Sequence, residues 1–242
     1  MGLLINFCEN YEEMSGQAAE IVANEIKAKQ NLVLGLPTGS TPIGMYSKLV
    51  EMHKAGNIDF SKATTFNLDE YYPIKRDNNQ SYYKFMFDNF FGMININPGN
   101  INIPDGEAAD PALECRKYEQ KINHAGGIDL MVLGMGANGH IGFNEPGSFL
   151  IPHTHIATLN EATKEANKRF FDSIGEVPQK ALTMGMGSII AKSRKILMLV
   201  SGKAKTNAFK QFLEGKITSE NPATFLYLHN NVIVLSDIEE FA

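Results

Sequence analysis

The chain has 242 residues, 43% of them hydrophobic and 20% charged, enough for one large globular domain with a sizeable core. A net charge of −5 without a basic block argues against a nucleic-acid surface. The opening MGLLINFCENYEE has the marks of neither a signal peptide nor a membrane span, so a cytoplasmic protein is expected.

The elements follow in chain order. Met14, Ala18, Ile21, Val22 and Ile26 recur at helical spacing behind Asn10, a candidate N-cap. Leu32–Leu36 (LVLGL) reads as a strand buried on both faces. The loop after it, GLPTGSTP over Gly35–Pro42, combines a flexible Gly39 with the hydroxyls of Ser40 and Thr41. Thr41 is placed to cap the next helix and Pro42 to open it, with Ile43, Tyr46, Leu49 and Val50 as its apolar face. That geometry suits an anion, and it equally suits a plain strand-to-helix turn.

Thr64–Leu68 is the next strand, and it runs into NLDEY. Adjacent acids at a strand end can supply a general base, or can merely cap a helix or face solvent. Asp69, expected at the sheet edge, is the better base candidate of the pair with Glu70. Helical patterns cover Ser81–Phe91 and Pro111–His124. Asp129–Leu133 is a further buried strand, ending in GMGANGHIGFNEP. Its Gly134, Gly136 and Gly139 match the dinucleotide fingerprint, which requires a helix to begin there. Gly142, Pro146 and Gly147 make such a helix unfavourable, so the match is accidental. What remains is a loop presenting Asn138, His140 and Glu145. A histidine titrates near neutral pH, and a nearby carboxylate orients it and raises its pKa.

A helix is expected over Glu161–Phe171, carrying Arg169, then a strand over Lys195–Val200. SGKAK follows, whose Lys203 and Lys205 either meet a phosphate or lie in solvent, and a helix pattern covers Lys203–Leu213. Val232–Leu235 is the last strand. His153 and His155 lack a third ligand for a metal, and Cys8 and Cys115, without C-x-x-C spacing, read as reduced buried thiols. Strand–helix alternation makes this an α/β chain with a mostly parallel sheet, and ligands of such sheets bind beyond the carboxyl ends of the strands. The residues alone give one domain over 1–242 that moves protons on a small phosphorylated substrate, with no cofactor and no metal.

LGLPTGSTP, TTFNLDEYYP, GMGANGHIGFNEPG, ANKRFF, KALTMGMG and VSGKAK, in this order, resemble the glucosamine-6-phosphate deaminase family over nearly the whole chain. NLDEY together with GHIGFNEP separates the deaminases from the related 6-phosphogluconolactonases. The resemblance implies a Rossmann-like three-layer αβα sandwich and a metal-free hydrolytic deamination of glucosamine 6-phosphate to fructose 6-phosphate and ammonia. It implies that His140 opens the sugar ring with Glu145 as its partner, and that Asp69 moves the C2 proton. Thr38, Gly39, Ser40 and Thr41 match its phosphate loop, and Arg169 and Lys205 the loop's charged partners. Asn138 stands where many members carry Asp, which implies a lower histidine pKa. Ser148–Thr158 lacks the Arg and Lys with which allosteric hexamers bind an N-acetylated activator, which implies the shorter non-allosteric branch and a monomer or small homo-oligomer. The rival readings are a lactonase, which would not need NLDEY, and a non-catalytic sugar-phosphate sensor, which would carry a DNA-binding segment.

Overall fold

The computed structural model describes residues 2–159 and 178–238. The helix expected at 161–171, and Arg169 with it, lies outside the described residues. Ten strands are present among the described residues: β1 (Leu3–Phe7), β2 (Val33–Leu36), β3 (Thr64–Asn67), β4 (Asp69–Tyr72), β5 (Ile101–Asn102), β6 (Ile128–Gly134), β7 (His155–Thr158), β8 (Lys180–Thr183), β9 (Ser193–Val200) and β10 (Val232–Ser236). Seven form a wholly parallel sheet in the order β1-β10-β9-β6-β2-β3-β5. The other three form a small antiparallel sheet, β4-β8-β7.

The α-helices among the described residues are α1 (Tyr11–Ala28), α2 (Ile43–Lys54), α3 (Tyr82–Asn89), α4 (Pro111–His124), α5 (Met186–Lys192) and α6 (Thr206–Leu213). Asn10 does cap α1, its side chain accepting from the Glu13 N–H at 2.9 Å. Asp110 caps α4 in the same way, with Pro111 at the first helical position. The central strands are buried on both faces because each face meets a helix layer. In β9, Leu197 and Leu199 pack with α1 and α2, while Ile196, Met198 and Val200 pack with the residues of α4, α5 and α6. The result is the three-layer α/β sandwich. Cys8 and Cys115 are buried and unpaired. Among the described residues no helix is long and apolar enough to cross a membrane.

Two expectations at the sheet edge need correction. Asp69 does not merely follow a strand; it opens β4, in register with Thr183 of β8. Thr41 does not cap α2. Pro42 is the N-cap residue, α2 starts at Ile43, and no side chain caps it. The Gly44 N–H in its first turn instead donates to the Tyr11 hydroxyl at 2.8 Å. The pattern over Lys203–Leu213 splits into a 3₁₀ turn, Lys203–Lys205, and α6.

Candidate active site

The sheet order places the site. From β2 the chain steps outward to β3 and β5, then returns to lay β6 on the opposite side of β2. The loops after β2 and β6 therefore leave the sheet side by side in opposite directions, opening a crevice at the switch point. The 3₁₀ turn after β9, the next strand over, completes it.

After β2, Gly39 takes a positive φ of 88°, which swings the chain round into α2. The N–H groups of Thr38, Gly39, Ser40 and Thr41 find no acceptor among the described residues. Such a run of unspent donors in front of a helix is a nest for an anion. Tyr11 fastens the loop by donating to the Ser40 and Thr41 carbonyls, both at 3.1 Å. Lys205 crosses from the β9 side and donates to the Thr41 Oγ1 at 2.7 Å, which is what occupies the hydroxyl expected to cap α2. Burial lowers the Lys205 pKa to about 8 against the raising effect of Asp237. Lys203 is exposed.

After β6 there is no helix, so the dinucleotide fingerprint is indeed accidental. The loop holds a chain of contacts whose polarity can be worked out from one end. A carboxylate only accepts, so the Asn138 Nδ2 faces Glu145 Oε2, at 2.9 Å. The amide oxygen must then face His140, and it lies 2.7 Å from Nδ1. Nδ1 carries the proton, and Nε2 is left as a lone pair. Glu145 Oε1 stands 3.7 Å from Nδ1 as a secondary partner. The His140 pKa is not raised: burial lowers it, outweighing Glu145, and Lys205 lowers it further. The imidazole is thus neutral at pH 7, with Nε2 able to accept a proton. Two glycines make room for this. A Cβ on Gly136 would collide with the His140 ring, and one on Gly139, at φ 87°, would collide with the buried Asn221 amide.

Asp69 is buried at 5% exposure, and its carboxylate accepts no hydrogen bond among the described residues. Burial and then the neighbouring Glu70 push it up to about 8. It borders the histidine loop at Gly142, where a Cβ would lie 3.1 Å from Asp69 Oδ2. Glu70 points to the opposite side of β4 and is spent on backbone, accepting from the N–H groups of Tyr71, Tyr82 and Tyr83 at 2.8–2.9 Å. Burial still raises its pKa to about 7 against those three bonds.

The structure therefore brings Asn138, His140 and Glu145 together, joins Lys205 to Thr41, and sets Asp69 against the histidine loop. His153 and His155 do not join them: His155 Nδ1 sits 2.8 Å from the His153 carbonyl. Among the described residues no group of three or more His, Cys, Asp or Glu side chains is placed to hold a metal. The motif reading missed the segment behind the histidine loop. The Ala223 N–H donates to the Gly139 carbonyl at 2.9 Å, the Gly147 N–H to Ser219 at 3.1 Å, and Asn221 Nδ2 to Ala208 of α6 at 2.8 Å. The NP pair at 221–222 was its only local signal, and that signal says turn rather than site.

Fold and site define a doubly wound α/β protein with a run of unpaired loop N–H groups and an Asn–His–Glu cluster at one switch point. Residues 9–235 match the model of the glucosamine-6-phosphate isomerases/6-phosphogluconolactonase family, and the chain belongs to that family. It is 57% identical over 230 residues to a glucosamine-6-phosphate deaminase of Thermoanaerobacter sp. (strain X514), covering 95% of this chain and 90% of that one. It is 52% identical over 231 residues to a glucosamine-6-phosphate deaminase of Clostridium botulinum (strain Hall), covering 96% and 94%. Among solved structures, a monomeric glucosamine-6-phosphate deaminase superposes with a TM-score of 0.94 at 48% identity, over 99% of this chain and 98% of that one. A 6-phosphogluconolactonase of Thermotoga maritima superposes with a TM-score of 0.70 at 21% identity over 97% and 99%, a likeness of fold alone.

Proposed function

We propose that this chain is a glucosamine-6-phosphate deaminase, converting glucosamine 6-phosphate and water to fructose 6-phosphate and ammonia. The observation that carries the reading is the Asn138–His140–Glu145 network, with its free Nε2, in the same crevice as a bare buried carboxylate and a loop of N–H groups without a protein acceptor among the described residues. The phosphate sits on the N–H groups of Thr38–Thr41, with Lys205 and Arg169 as its cations. His140 Nε2 takes the proton from the anomeric hydroxyl and returns it to the ring oxygen, which opens the pyranose. Asn138 and Glu145 hold the tautomer this needs. Asp69 then removes the C2 proton while the C1 carbonyl oxygen takes up the proton lost by the substrate's ammonium group, giving an enolamine. The same carboxyl delivers the proton to C1, leaving a C2 imine. Water adds to C2 and ammonia departs, so the net reaction is hydrolysis of a C–N bond. Moving one proton between adjacent carbons needs a single base near both, and a carboxyl whose pKa lies near neutrality accepts and returns it readily.

The lactonase reading has less support, since the relatives at 52–57% identity carry the deaminase name. A working state as a monomer is supported by the monomeric relative at 48% identity. The absence of Arg and Lys from Ser148–Thr158 supports hyperbolic kinetics without response to N-acetylglucosamine 6-phosphate. The substrate carries a membrane-impermeant charge, which suits work in the cytoplasm. The test is ammonia and fructose 6-phosphate release from glucosamine 6-phosphate with EDTA present. Turnover is expected; hydrolysis of 6-phosphogluconolactone in its place overturns the reading.

A further inference from the structure

Glu70 is a buried carboxylate beside the site that the proposed chemistry does not use, and it is 2% exposed. Its two oxygens accept from the N–H groups of Tyr71 (2.9 Å), Tyr82 (2.8 Å) and Tyr83 (2.8 Å). Tyr82 and Tyr83 are the first two residues of α3, whose N–H groups have no partner within the helix. The third, of Lys84, goes to the Ser81 hydroxyl at 3.0 Å, as a local cap does. The start of α3 is thus fixed to β4 by a charge twelve residues away in sequence, on the strand that carries Asp69.

What α3 presents from this anchorage is the Tyr82 ring. It stacks on Phe143 at 6.1 Å and 9° and leans on Tyr71 at 4.8 Å, while Tyr71 meets Phe143 at 5.6 Å. Phe143 belongs to the loop between His140 and Glu145. Three aromatic rings therefore join the base strand to the histidine loop, and Glu70 holds the backbone of two of them. The groups around Asp69 from other elements are Tyr46 of α2, Tyr82 of α3, Tyr118 of α4 and Thr183 of β8. Burial raises the pKa of all three phenols, so each is neutral through the working range. His140 interacts with both Glu145 and Lys205 across the crevice. Glu70, which ionises near 7 and so ahead of Asp69, is thus the negative charge next to the base when Asp69 titrates, with Arg76 as its cationic neighbour.

We propose that Glu70 is a positioning residue for the deamination assigned above: it seats α3 so that the Tyr71–Tyr82–Phe143 packing holds the histidine loop, and its charge keeps Asp69 a strong proton acceptor. The assignment rests on the deaminase reading. Two substitutions separate its halves. Glu70→Gln removes the charge at nearly constant size but replaces one acceptor oxygen by a donor, so one backbone bond to α3 is lost as well. The readout of the charge is the acid limb of kcat/KM, which should move to lower pH by about one unit, the order expected on losing an adjacent like charge. Glu70→Asp keeps the charge but retracts it by one methylene, so the limb should stay while kcat falls severalfold through the loosened loop. An unmoved limb in a folded Glu70→Gln protein overturns the proposal. So does a loss of 10²–10⁴-fold at every pH, the range for removal of a general base, which would make Glu70 the base itself. If near-ultraviolet circular dichroism shows Glu70→Gln unfolded, Glu70→Asp decides alone, and a displaced limb there overturns it. A wild-type protein that releases no ammonia fails the deaminase reading, a result distinct from an active wild type whose limb does not respond.

Discussion

Activity should switch on across the neutral range, because the base works ionised and Asp69 is held up to about 8. One pH unit below that value about a tenth of the carboxyl is ionised, and two units below about a hundredth. For the free enzyme kcat/KM should therefore rise about tenfold from pH 6 to 7 and level off near 8. Lys205, held down to about 8, must keep its proton to grip the phosphate, so kcat/KM should fall again above that pH. The outcome is a narrow bell. Under saturation the bound dianion holds the lysine proton, so in kcat the alkaline limb should retreat to higher pH while the acid limb remains. Asp69→Asn should lower turnover by roughly 10²–10⁴-fold and abolish the acid limb. Stability must move the other way. A carboxyl whose pKa rises from 3.8 to about 8 on folding costs nothing below the unfolded value, and its full penalty is present once pH exceeds the folded one. Asp69→Asn removes that penalty, on the order of several kcal/mol above pH 8. Its Tm should exceed that of wild type by a margin that grows from pH 5 to 9, at roughly 2–4 °C per kcal/mol. The assays are coupled ammonia release from pH 6 to 9.5 and thermal melts from pH 5 to 9. An acid limb near 4–5, with no pH-dependent gain in Tm for Asp69→Asn, would refute the reasoning.

Asn138→Asp replaces the amide that bridges Glu145 and His140 with a second acceptor. The His140 pKa should rise by about 1–2 units, read by NMR titration of its ring protons; an unchanged value would show that Asn138 does not set the imidazole's environment. Gly136→Ala puts a methyl into the His140 ring. It should lower kcat strongly while inorganic phosphate still competes with unchanged affinity, and equal loss of both would point to general unfolding. Lys205→Ala should weaken phosphate binding by about 1.5–3 kcal/mol, roughly 10–150-fold in KM, with kcat less affected.

Periodicity sufficed for five of the seven strands of the central sheet and five of its six described helices, since strands buried on both faces carry their burial in every residue, whereas the half-exposed edge strand β1, the two-residue β5 and the short α5 went unread. LVLGL, DLMVL and KILMLV could be nothing polar, and Asn10 before its apolar stripe marked a helix start that local chemistry alone decides. The loops of the candidate site were legible for a related reason. Glycines, hydroxyls and a histidine–carboxylate set fall directly after those strands, where an α/β sheet binds its ligands. The short antiparallel sheet was not legible: β4 is stabilised by β8, more than a hundred residues on, and four residues hold too little pattern to announce a partner at that distance. The same separation hid the fate of Thr41, whose hydroxyl looks like a helix cap until Lys205 arrives from 164 residues away. The choice between Asp69 and Glu70 has this character too. Two adjacent acids are equivalent on paper, and become different only when folding brings the start of α3 to one and leaves the other bare. The direction of the His140 shift was misjudged because a carboxylate nearby can be read from sequence, whereas burial, the larger effect here, is a property of everything packed around the ring.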